Sequence, residues 1–278
     1  TMGNYFRAKS KILRLVKKDG FAVLNTDDKR VAGLKKKFGG NILTYGLRGR
    51  PDIAARGLSL SQHGSVFTVT TPRYSIQLKS CLIGAHNVSN MLAAIAAAYA
   101  MGIDKRWIRK GIESFSSVPG RLEPVDAGQP FRVFVDFAHT DDALKNVLTI
   151  LRKIAPKRII TLFGCGGNRD TTKRPRMGQT ACRISDAVVI TSDNPRLEDP
   201  LEIIRQIEAG IKGRFTNYFI EPDRKDAISR AFGLAACDDI VILAGKGHER
   251  CQIIGNEKMP FDDRKVAMSI LSAVNAKE

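Results

Sequence analysis

The sequence predicts an α/β protein of two domains, the second of which is a doubly wound, mostly parallel sheet. Its 278 residues are enough for two domains that each bury a core. From about residue 131, short apolar segments typical of buried parallel strands alternate strictly with segments of helical spacing. Before that point, polar and apolar residues alternate cleanly only around SVFTVTTP and YSIQLKS, which indicates antiparallel strands. The second domain is therefore expected to be Rossmann-like, and the first to have a different architecture.

The first domain is predicted to contain helices at both ends. Residues 5–17 have apolar residues at helical spacing, and FAVLN at 21–25 is typical of a strand. Another helix is expected in NTDDKRVAGLKKK, with Asp27 or Asp28 as its N-cap. After the antiparallel strands, helices are expected in HNVSNMLAAIAAAYAMG and DKRWIRKGIESF. The proline, glycine and serine of SSVPGRLEPV indicate a linker, so the domains are predicted at 1–117 and 118–278.

Polar loops follow the predicted strands of the second domain. FRVFVDF, RIITLFG, AVVITS and DIVILAG are each followed by a polar loop and then by a helical segment. The carboxyl ends of parallel strands lie along one edge of a sheet, where open α/β sheets bind ligands. The residues expected to converge there are Asp136, His139, Arg169, Asn194, Arg196, Lys246 and Glu249.

Two of these loops have alternative interpretations. The glycines of GCGGNRD do not have dinucleotide-binding spacing, and we expect them to form a tight turn that requires positive φ. In TSDNPRLEDP, Asp193 and Arg196 follow a buried strand, and Pro200 suits the first turn of the next helix. Arg196 either faces a ligand or pairs with Glu198 or Asp199 and only holds the loop.

The composition limits the possible classes of function. Lys and Arg total 45 against 28 Asp and Glu, a net charge of +17, which suits either nucleic acid or polyanionic small substrates. The basic clusters are scattered and aromatics are only 7%, so a stacking platform for single strands is not expected. No apolar run approaches the roughly 20 residues of a membrane span. Five cysteines, an odd number without metal-ligand spacing, favour a reduced, cytoplasmic compartment.

Eight runs resemble one family in their order along the chain. They are YFRAKSKIL, NTDD, GAHNVSNMLAA, PGRLE, VDFAHTDDAL, FGCGGNRDTTKRPRMG, DNPRLEDP and AGKGHE, and they resemble the Mur ligases of bacterial cell-wall synthesis. The resemblance implies the later part of the family's central ATPase domain, followed by its Rossmann-like C-terminal domain. The family's UDP-sugar domain and glycine-rich GKT phosphate loop are not matched, so we expect a fragment that does not ligate alone.

The resemblance also implies a reaction, its cofactors and their residues. In the family, ATP phosphorylates the D-glutamate carboxylate of a UDP-N-acetylmuramoyl dipeptide, and the amine of an amino acid attacks the acyl phosphate. ATP and Mg²⁺ are the implied cofactors. Lys9 matches a lysine that is carbamylated to bind magnesium, and His139 a catalytic position near the phosphates. The implied nucleotide contacts are Asn87 and Asn90 for adenine, and Arg121 and Asp136 for the ribose.

DNPRLEDP matches the branch of the family that adds meso-diaminopimelate. The implied amino-acid contacts are Arg169, Asp193, Asn194, Arg196, Gly245 and Glu249. A guanidinium binds a carboxylate through two parallel hydrogen bonds, and diaminopimelate differs from lysine by one carboxylate. The alternatives are a lysine-adding ligase and a basic nucleic-acid-binding module; under the favoured hypothesis neither nucleic acid nor membrane is a partner. Phe137, Asp141 and Gly3 depart from the family pattern.

Overall fold

The computed structural model describes residues 1–275 and contains two compact units. The first comprises residues 1–116 and the second begins at residue 117. Of the basic residues, 20 lie in residues 1–116, with only six acidic ones, whereas the rest of the chain has 25 basic and 22 acidic residues. The first unit therefore holds +14 of the net charge of +17. In residues 1–275, no helix combines the length and the apolar character needed to cross a membrane.

The first unit is built on a mixed five-stranded sheet. Its strands are β1 (Phe21–Asn25), β2 (Asn41–Gly46), β3 (Ile53–Ser61), β4 (Gly64–Thr70) and β5 (Ser75–Ser80), in spatial order β1-β2-β3-β4-β5. The first three are parallel, and β3, β4 and β5 are antiparallel. The helices are α1 (Met2–Ser10), α2 (Lys29–Ala32), α3 (Ala85–Ala100) and α4 (Lys105–Glu113), with 3₁₀ turns at Lys11–Leu15 and Gly33–Lys36. The apolar side of α3 packs with the sheet around Phe67, Leu78 and Leu92.

The predicted strands of this unit are confirmed, but two further strands were missed. β3 begins buried and ends exposed, and a bulge between Arg56 and Ser59 interrupts its alternation, so it lacks a period-two pattern. Asp28 is the N-cap of α2 and accepts hydrogen bonds from the amides of Arg30 and Val31. Asp27 instead accepts from the amides of Leu47 and Arg48, after β2.

The second unit is a six-stranded sheet covered by helices. Its strands are β6 (Glu123–Val125), β7 (Arg132–Asp136), β8 (Ile159–Phe163), β9 (Ala187–Ile190), β10 (Tyr218–Ile220) and β11 (Ile240–Ala244), in order β10-β9-β8-β11-β7-β6. All neighbours are parallel except β6 and β7. The helices are α5 (Asp141–Ile154), α6 (Lys173–Ile184), α7 (Pro200–Glu208), α8 (Arg224–Gly233) and α9 (Asp263–Asn275), and a hairpin joins β12 (Cys251–Ile254) to β13 (Glu257–Pro260). This confirms the predicted parallel α/β fold.

Burial on both faces explains the apolar strands of this sheet. Every residue of β8 and β11 is buried. One face, with Val133, Ile160 and Val241, packs on α8 and α9, while α5, α6 and α7 lie side by side. A strand covered on both faces has no polar side, so its sequence is a continuous apolar run. Polar residues occur again in the loops at the carboxyl ends of these strands.

Candidate functional site

A cavity of about 400 Å³ opens at the carboxyl edge of the second sheet. The loops after β7, β8, β9 and β11 all contribute to it. It brings together His139, Arg169, Asp193, Asn194, Arg196, Gly245 and Glu249 of the predicted residues, and it is also lined by Phe137, Thr140, Gly164, Gly166, Asp170 and Lys173. Its size is that of ligand-binding pockets. Cationic and anionic side chains face the same space, which suits a ligand that carries both signs of charge.

Arg196 is half-buried in this cavity and has no acidic partner among residues 1–275. Its Nη1 donates to the carbonyl of Gly167 at 2.8 Å, a hydrogen bond that leaves the positive charge uncompensated. The backbone of Arg196 has φ 53 and is bonded to the β12–β13 hairpin, with its amide 3.0 Å from the oxygen of Ile253. The guanidinium is therefore held in place by main chain alone.

The acids that were alternative partners of Arg196 are engaged elsewhere. Glu198 pairs with Arg174 at 2.8 Å, and Asp199 caps α7 by accepting from the amide of Leu201 and lies 3.8 Å from Arg205. The interpretation in which Arg196 only holds its loop through one of these pairs is therefore wrong.

A buried network fixes Asn194 and Glu249. The amide nitrogen of Asn194 donates to Glu249 Oε2 at 2.8 Å, and its oxygen accepts from Lys246 and from the amide of Ile253, both at 3.0 Å. Lys246 is fully buried and also donates to the carbonyl of Cys251. Lys246 does not line the cavity; it holds the two residues that do. The sequence reveals only that Lys246 follows a strand, not that its side chain points inward.

Asp193 places a desolvated carboxylate at the cavity. It is 7% exposed, and burial raises its pKa, with Arg224 and Lys246 opposing the rise and Glu249 and Asp263 adding to it. No hydrogen bond from a residue of the described chain reaches its carboxylate, so its oxygens are free to accept one from a ligand. A buried carboxylate without donors is typical of functional sites rather than of stable cores.

Glycines allow main chain to form the wall of the cavity. A Cβ on Gly164 would overlap the carbonyl of Thr191, and one on Gly167 would overlap the carbonyl of Pro195. The expectation that GCGGNRD needs glycine for positive φ is wrong, because in this loop only Asn168 has positive φ. Close approach of two loops is what requires glycine here. Gly245 does have positive φ, 114°, and a Cβ there would lie 2.7 Å from Asp193 Oδ2.

His139 and Lys173 occupy another part of the cavity wall. His139 is exposed; its Nδ1 lies 2.9 Å from the oxygen of Phe137, and Lys173 donates to the carbonyl of His139. Arg169 is exposed and its Nη1 reaches only the carbonyl of Asn168, at 3.1 Å. The guanidinium of Arg169 and the ammonium of Lys173 are available to an anionic group.

The predicted nucleotide contacts lie outside this cavity. Arg121 is exposed and its guanidinium stacks 5.5 Å from the ring centre of Phe137. Asp136 is buried and accepts from the amide of Leu122 at 2.8 Å; burial raises its pKa, and that bond and Arg121 oppose the rise. In the first unit, Asn87 is buried and donates to the carbonyl of Ile83, whereas Asn90 is exposed. The N-cap of α3 is Gly84, so Asn87 does not cap this helix.

Lys9 does not sit in a ready-made metal site. It is exposed on α1, with its Nζ 5.6 Å from the ring centre of Tyr5. It lines a mostly apolar cavity of about 320 Å³ whose single acid, Asp28, already caps α2. No group of three or more His, Cys, Asp or Glu with metal-binding geometry occurs within residues 1–275. The side chains present do not by themselves fit a magnesium ion.

Comparison with known proteins identifies both units. The model of the Mur ligase middle domain matches residues 1–98, and that of the Mur ligase glutamate ligase domain matches residues 120–247. The chain is 46% identical over 272 residues to the UDP-N-acetylmuramoyl-L-alanyl-D-glutamate–2,6-diaminopimelate ligase of Solibacter usitatus, covering 97% of this chain and 55% of that protein. The ligase of the same name from Geobacillus thermodenitrificans is 44% identical, covering 89% of this chain and 50% of that protein.

Solved structures agree with these similarities. A structure of a ligase of that name matches with a TM-score of 0.74 and 33% identity, covering 99% of this chain and 57% of the other. The MurF ligase of Thermotoga maritima in complex with ADP matches with a TM-score of 0.66 at 16% identity, covering all of this chain and 58% of the other, which shows a shared fold. The chain spans about half the length of the curated relatives it matches.

Proposed function

The chain belongs to the Mur ligase family, and on that premise we propose that it forms the amino-acid-binding part of a ligase that adds meso-diaminopimelate to UDP-N-acetylmuramoyl-L-alanyl-D-glutamate. In the proposed reaction, ATP phosphorylates the D-glutamate side-chain carboxylate. The amine of diaminopimelate attacks the acyl carbon, an amide bond forms, and inorganic phosphate leaves. The role of this chain's cavity is to hold and orient the attacking amino acid.

The uncompensated guanidinium of Arg196 is the observation that carries this proposal. Half-buried in the cavity and bonded only to carbonyl oxygens, it can bind a carboxylate bidentately without first giving up an acidic partner. Arg169 lines the same cavity. Lysine has no carboxylate at the end remote from its α-carbon, so the free charge of Arg196 favours diaminopimelate over lysine.

The anionic side chains suit the ammonium group at the same end of the ligand. Glu249 accepts from Asn194 and lies 3.5 Å from Lys246, and the Asp193 carboxylate has no donor among the described residues. An ammonium offers three donors, which Glu249 and Asp193 can accept. The carboxylate and the ammonium of a zwitterionic end group would thus each meet side chains of the opposite charge.

His139 and the nucleotide contacts belong to the other half of the proposed reaction. Mur ligases are ATP-dependent, and we propose that Asn87, Asn90, Arg121 and Asp136 contact the nucleotide. His139 and Lys173 would lie toward the phosphoryl groups, whose charge cations stabilise. Magnesium and the carbamate of Lys9 stay predictions from the family resemblance, since the residues present do not complete a metal site. A cytoplasmic location likewise stays a prediction.

Calorimetric titration of the 278-residue chain with meso-diaminopimelate and with L-lysine tests the proposal. We expect binding of diaminopimelate and much weaker binding of lysine. Arg196→Ala should lower the affinity for diaminopimelate at least roughly 30-fold, the range for truncating a buried hydrogen-bonded charge, and leave that for lysine unchanged. Arg183→Ala, an exposed arginine of α6 outside the cavity, is the control.

Equal affinity of the wild-type chain for both amino acids, or tighter binding of lysine, would identify the lysine-adding activity instead. Unchanged diaminopimelate binding in Arg196→Ala would show that another group holds the carboxylate. Should the isolated chain bind neither, the same variant is assayed for diaminopimelate addition in a full-length ligase that contains this chain.

A further inference from the structure

One buried arginine joins the two loops that carry the cationic side chains of the cavity. Arg174, near the start of α6, is fully buried. Its Nη1 lies 2.8 Å from Glu198 Oε2 and 2.8 Å from Gln206 Oε1. Its Nη2 lies 3.1 Å from Glu198 Oε1 and 3.2 Å from the carbonyl of Gly166. The guanidinium fork therefore spans the loop after β8, the loop after β9 and helix α7.

Glu198 extends this connection to the main chain of the glycine loop. Its Oε1 accepts a short hydrogen bond from the amide of Asn168, next to Arg169. Asn168 in turn accepts, through its side-chain oxygen, from the amide of Leu197 at 3.1 Å. The amide of Gly167 donates to the carbonyl of Asn194 at 2.9 Å. The two loops are thus bonded side chain to main chain in both directions.

Neither Arg174 nor Glu198 lines the cavity, so neither can contact the amino acid. Their effect passes through Arg196, whose Nη1 donates to the carbonyl of Gly167. The position of that carbonyl is set by the Glu198 bond to the next residue, Asn168. A shift of the glycine loop would therefore move the acceptor that aims the Arg196 guanidinium.

Stability does not explain why the guanidinium of Arg174 is buried, with 0% of its side chain exposed against 27% for its partner Glu198. Desolvating the arginine offsets much of its attraction to the carboxylate, and an apolar residue of similar volume is often as stabilising or more so. Arg174 Nε is also buried with no hydrogen-bond partner among the described residues. The planar guanidinium of Arg174 reaches four acceptor atoms on three elements and so fixes the positions of these elements relative to one another. A lysine ammonium, which is a compact point charge, cannot do this.

We propose that Arg174 and Glu198 are a positioning pair that sets the selectivity of the cavity for an amino acid with a second carboxylate, by fixing the loop that aims Arg196. The inference rests on the proposed function for the identity of the ligand. Its structural part, that the pair fixes the glycine loop, is independent of any ligand.

The test compares Arg174→Lys with Arg158→Lys in the 278-residue chain. Arg158 also forms a fork on a carboxylate, Asp239, but at the opposite edge of the same sheet. Arg174→Lys should lower the affinity for meso-diaminopimelate roughly 10- to 100-fold, the range for one hydrogen bond to a charged group. The affinity for L-lysine should not change, because lysine does not use Arg196. Arg158→Lys should leave both affinities unchanged even where it lowers Tm.

Amide hydrogen exchange without ligand supplies the second measurement. In Arg174→Lys, the amides of Asn168 and Leu197 should exchange faster, while those of Leu162 and Val189 in the neighbouring strands keep wild-type rates. Glu198→Gln, which keeps the shape of the side chain and one acceptor, replaces Arg174→Lys if that variant does not fold.

Each outcome separates the two proposals. Unchanged exchange at Asn168 and Leu197 would overturn the positioning role. Faster local exchange with an unchanged ratio of diaminopimelate to lysine affinity would overturn the link to selectivity. A wild-type chain that binds lysine at least as well as diaminopimelate would contradict the proposed function, and with it the selectivity claim, while the exchange result would still decide whether the pair holds the loop.

Discussion

Arg196 combines a free charge with a left-handed backbone, and both follow from the loop around it. The backbone φ of Arg196 is 53°, in the left-handed region that residues other than glycine rarely adopt. Main-chain hydrogen bonds to Ile253 and Gly255 hold Arg196 in this conformation. Such local strain is found where the surrounding structure needs a side chain at one place. The strained backbone of Arg196 thus positions the guanidinium in the cavity and does not stabilise the loop.

The desolvated carboxylate of Asp193 should make stability depend on pH. Its pKa is raised in the folded state, so the ionised form opposes folding above that pKa, and protonation removes the cost as the pH falls through it. Asp193→Asn should therefore raise Tm by about 2–4 °C at pH 7.5, the shift for about 1 kcal/mol in a domain of this size. The gain should shrink on acidification toward the ordinary aspartate pKa.

Thermal unfolding of both proteins between pH 5 and 8 measures this effect. Asp142→Asn, a substitution of an exposed residue of α5, serves as the control. Parallel curves for wild type and Asp193→Asn would show that the carboxylate is not penalised in the folded state.

The sequence could predict the site residues that are positioned by the sheet topology, but not those that act through buried side-chain contacts. Asn194, Arg196 and Glu249 follow apolar strands, and the topology of a doubly wound sheet alone brings such residues to one edge. Arg174 and Lys246 are buried behind these residues; the sequence places Lys246 after a strand, but nothing in it shows that either side chain is buried. Buried polar networks depend on three-dimensional partners, which spacing along the chain does not encode.

At the scale of elements, two helices are tied to the carboxyl ends of the strands by a buried ion pair. Arg224 of α8 and Asp263 of α9 are both fully buried and form two hydrogen bonds, at 2.7 and 2.8 Å. Arg224 also donates to the carbonyl of Ser192, in the loop after β9, and to that of Ala244, the last residue of β11, each at 3.2 Å. The pair therefore fixes the main chain next to Asp193 and Gly245.

Arg224→Ala should lower the free energy of unfolding by about 3–5 kcal/mol, because it leaves the Asp263 carboxylate buried without a partner. Arg205→Ala removes an exposed arginine that pairs with Glu202, and should cost about 1 kcal/mol or less. Urea unfolding of the two variants makes the comparison. Similar losses in both would show that water reaches Asp263 and solvates it.

Elements with regular patterns were predicted, and those with mixed burial were not. β8 and β11 are continuous apolar runs, and β4 and β5 alternate, so their patterns predict them. β10 has three half-buried residues at the edge of the sheet, too few for a period. The β12–β13 hairpin does have a signal, Gly255 and Asn256 between two short runs, which indicates a turn.

At the scale of the whole molecule, the excess of basic residues and the cavity at the sheet edge are found in different units. The first unit holds most of the basic excess, while the second, which contains the cavity proposed to bind the amino acid, is nearly balanced. The hypothesis of a nucleic-acid-binding module therefore concerns the first unit. The net charge by itself does not explain the cavity, because the proposed selectivity depends on the placement of individual charges.

The second unit should fold and bind diaminopimelate by itself. It has its own sheet and core, and every residue lining the cavity lies within it. Residues 117–278, produced alone, should bind meso-diaminopimelate within about threefold of the affinity of the full chain, a difference of about 0.65 kcal/mol or less. Calorimetry measures both. A folded domain that loses binding would show that the first unit shapes the cavity.

The close approach of the loops after β8 and β9 beside the cavity limits which positions can be substituted. Gly164 and Gly167 bring main chain against main chain, and any larger residue there overlaps a carbonyl oxygen. A side chain larger than glycine at either position therefore requires the main chain to move, whereas the side chains that project into the cavity can be exchanged without such a movement. Under the proposed function, a change of amino-acid preference is then expected from substitutions at positions such as Arg196, with the shape of the pocket kept.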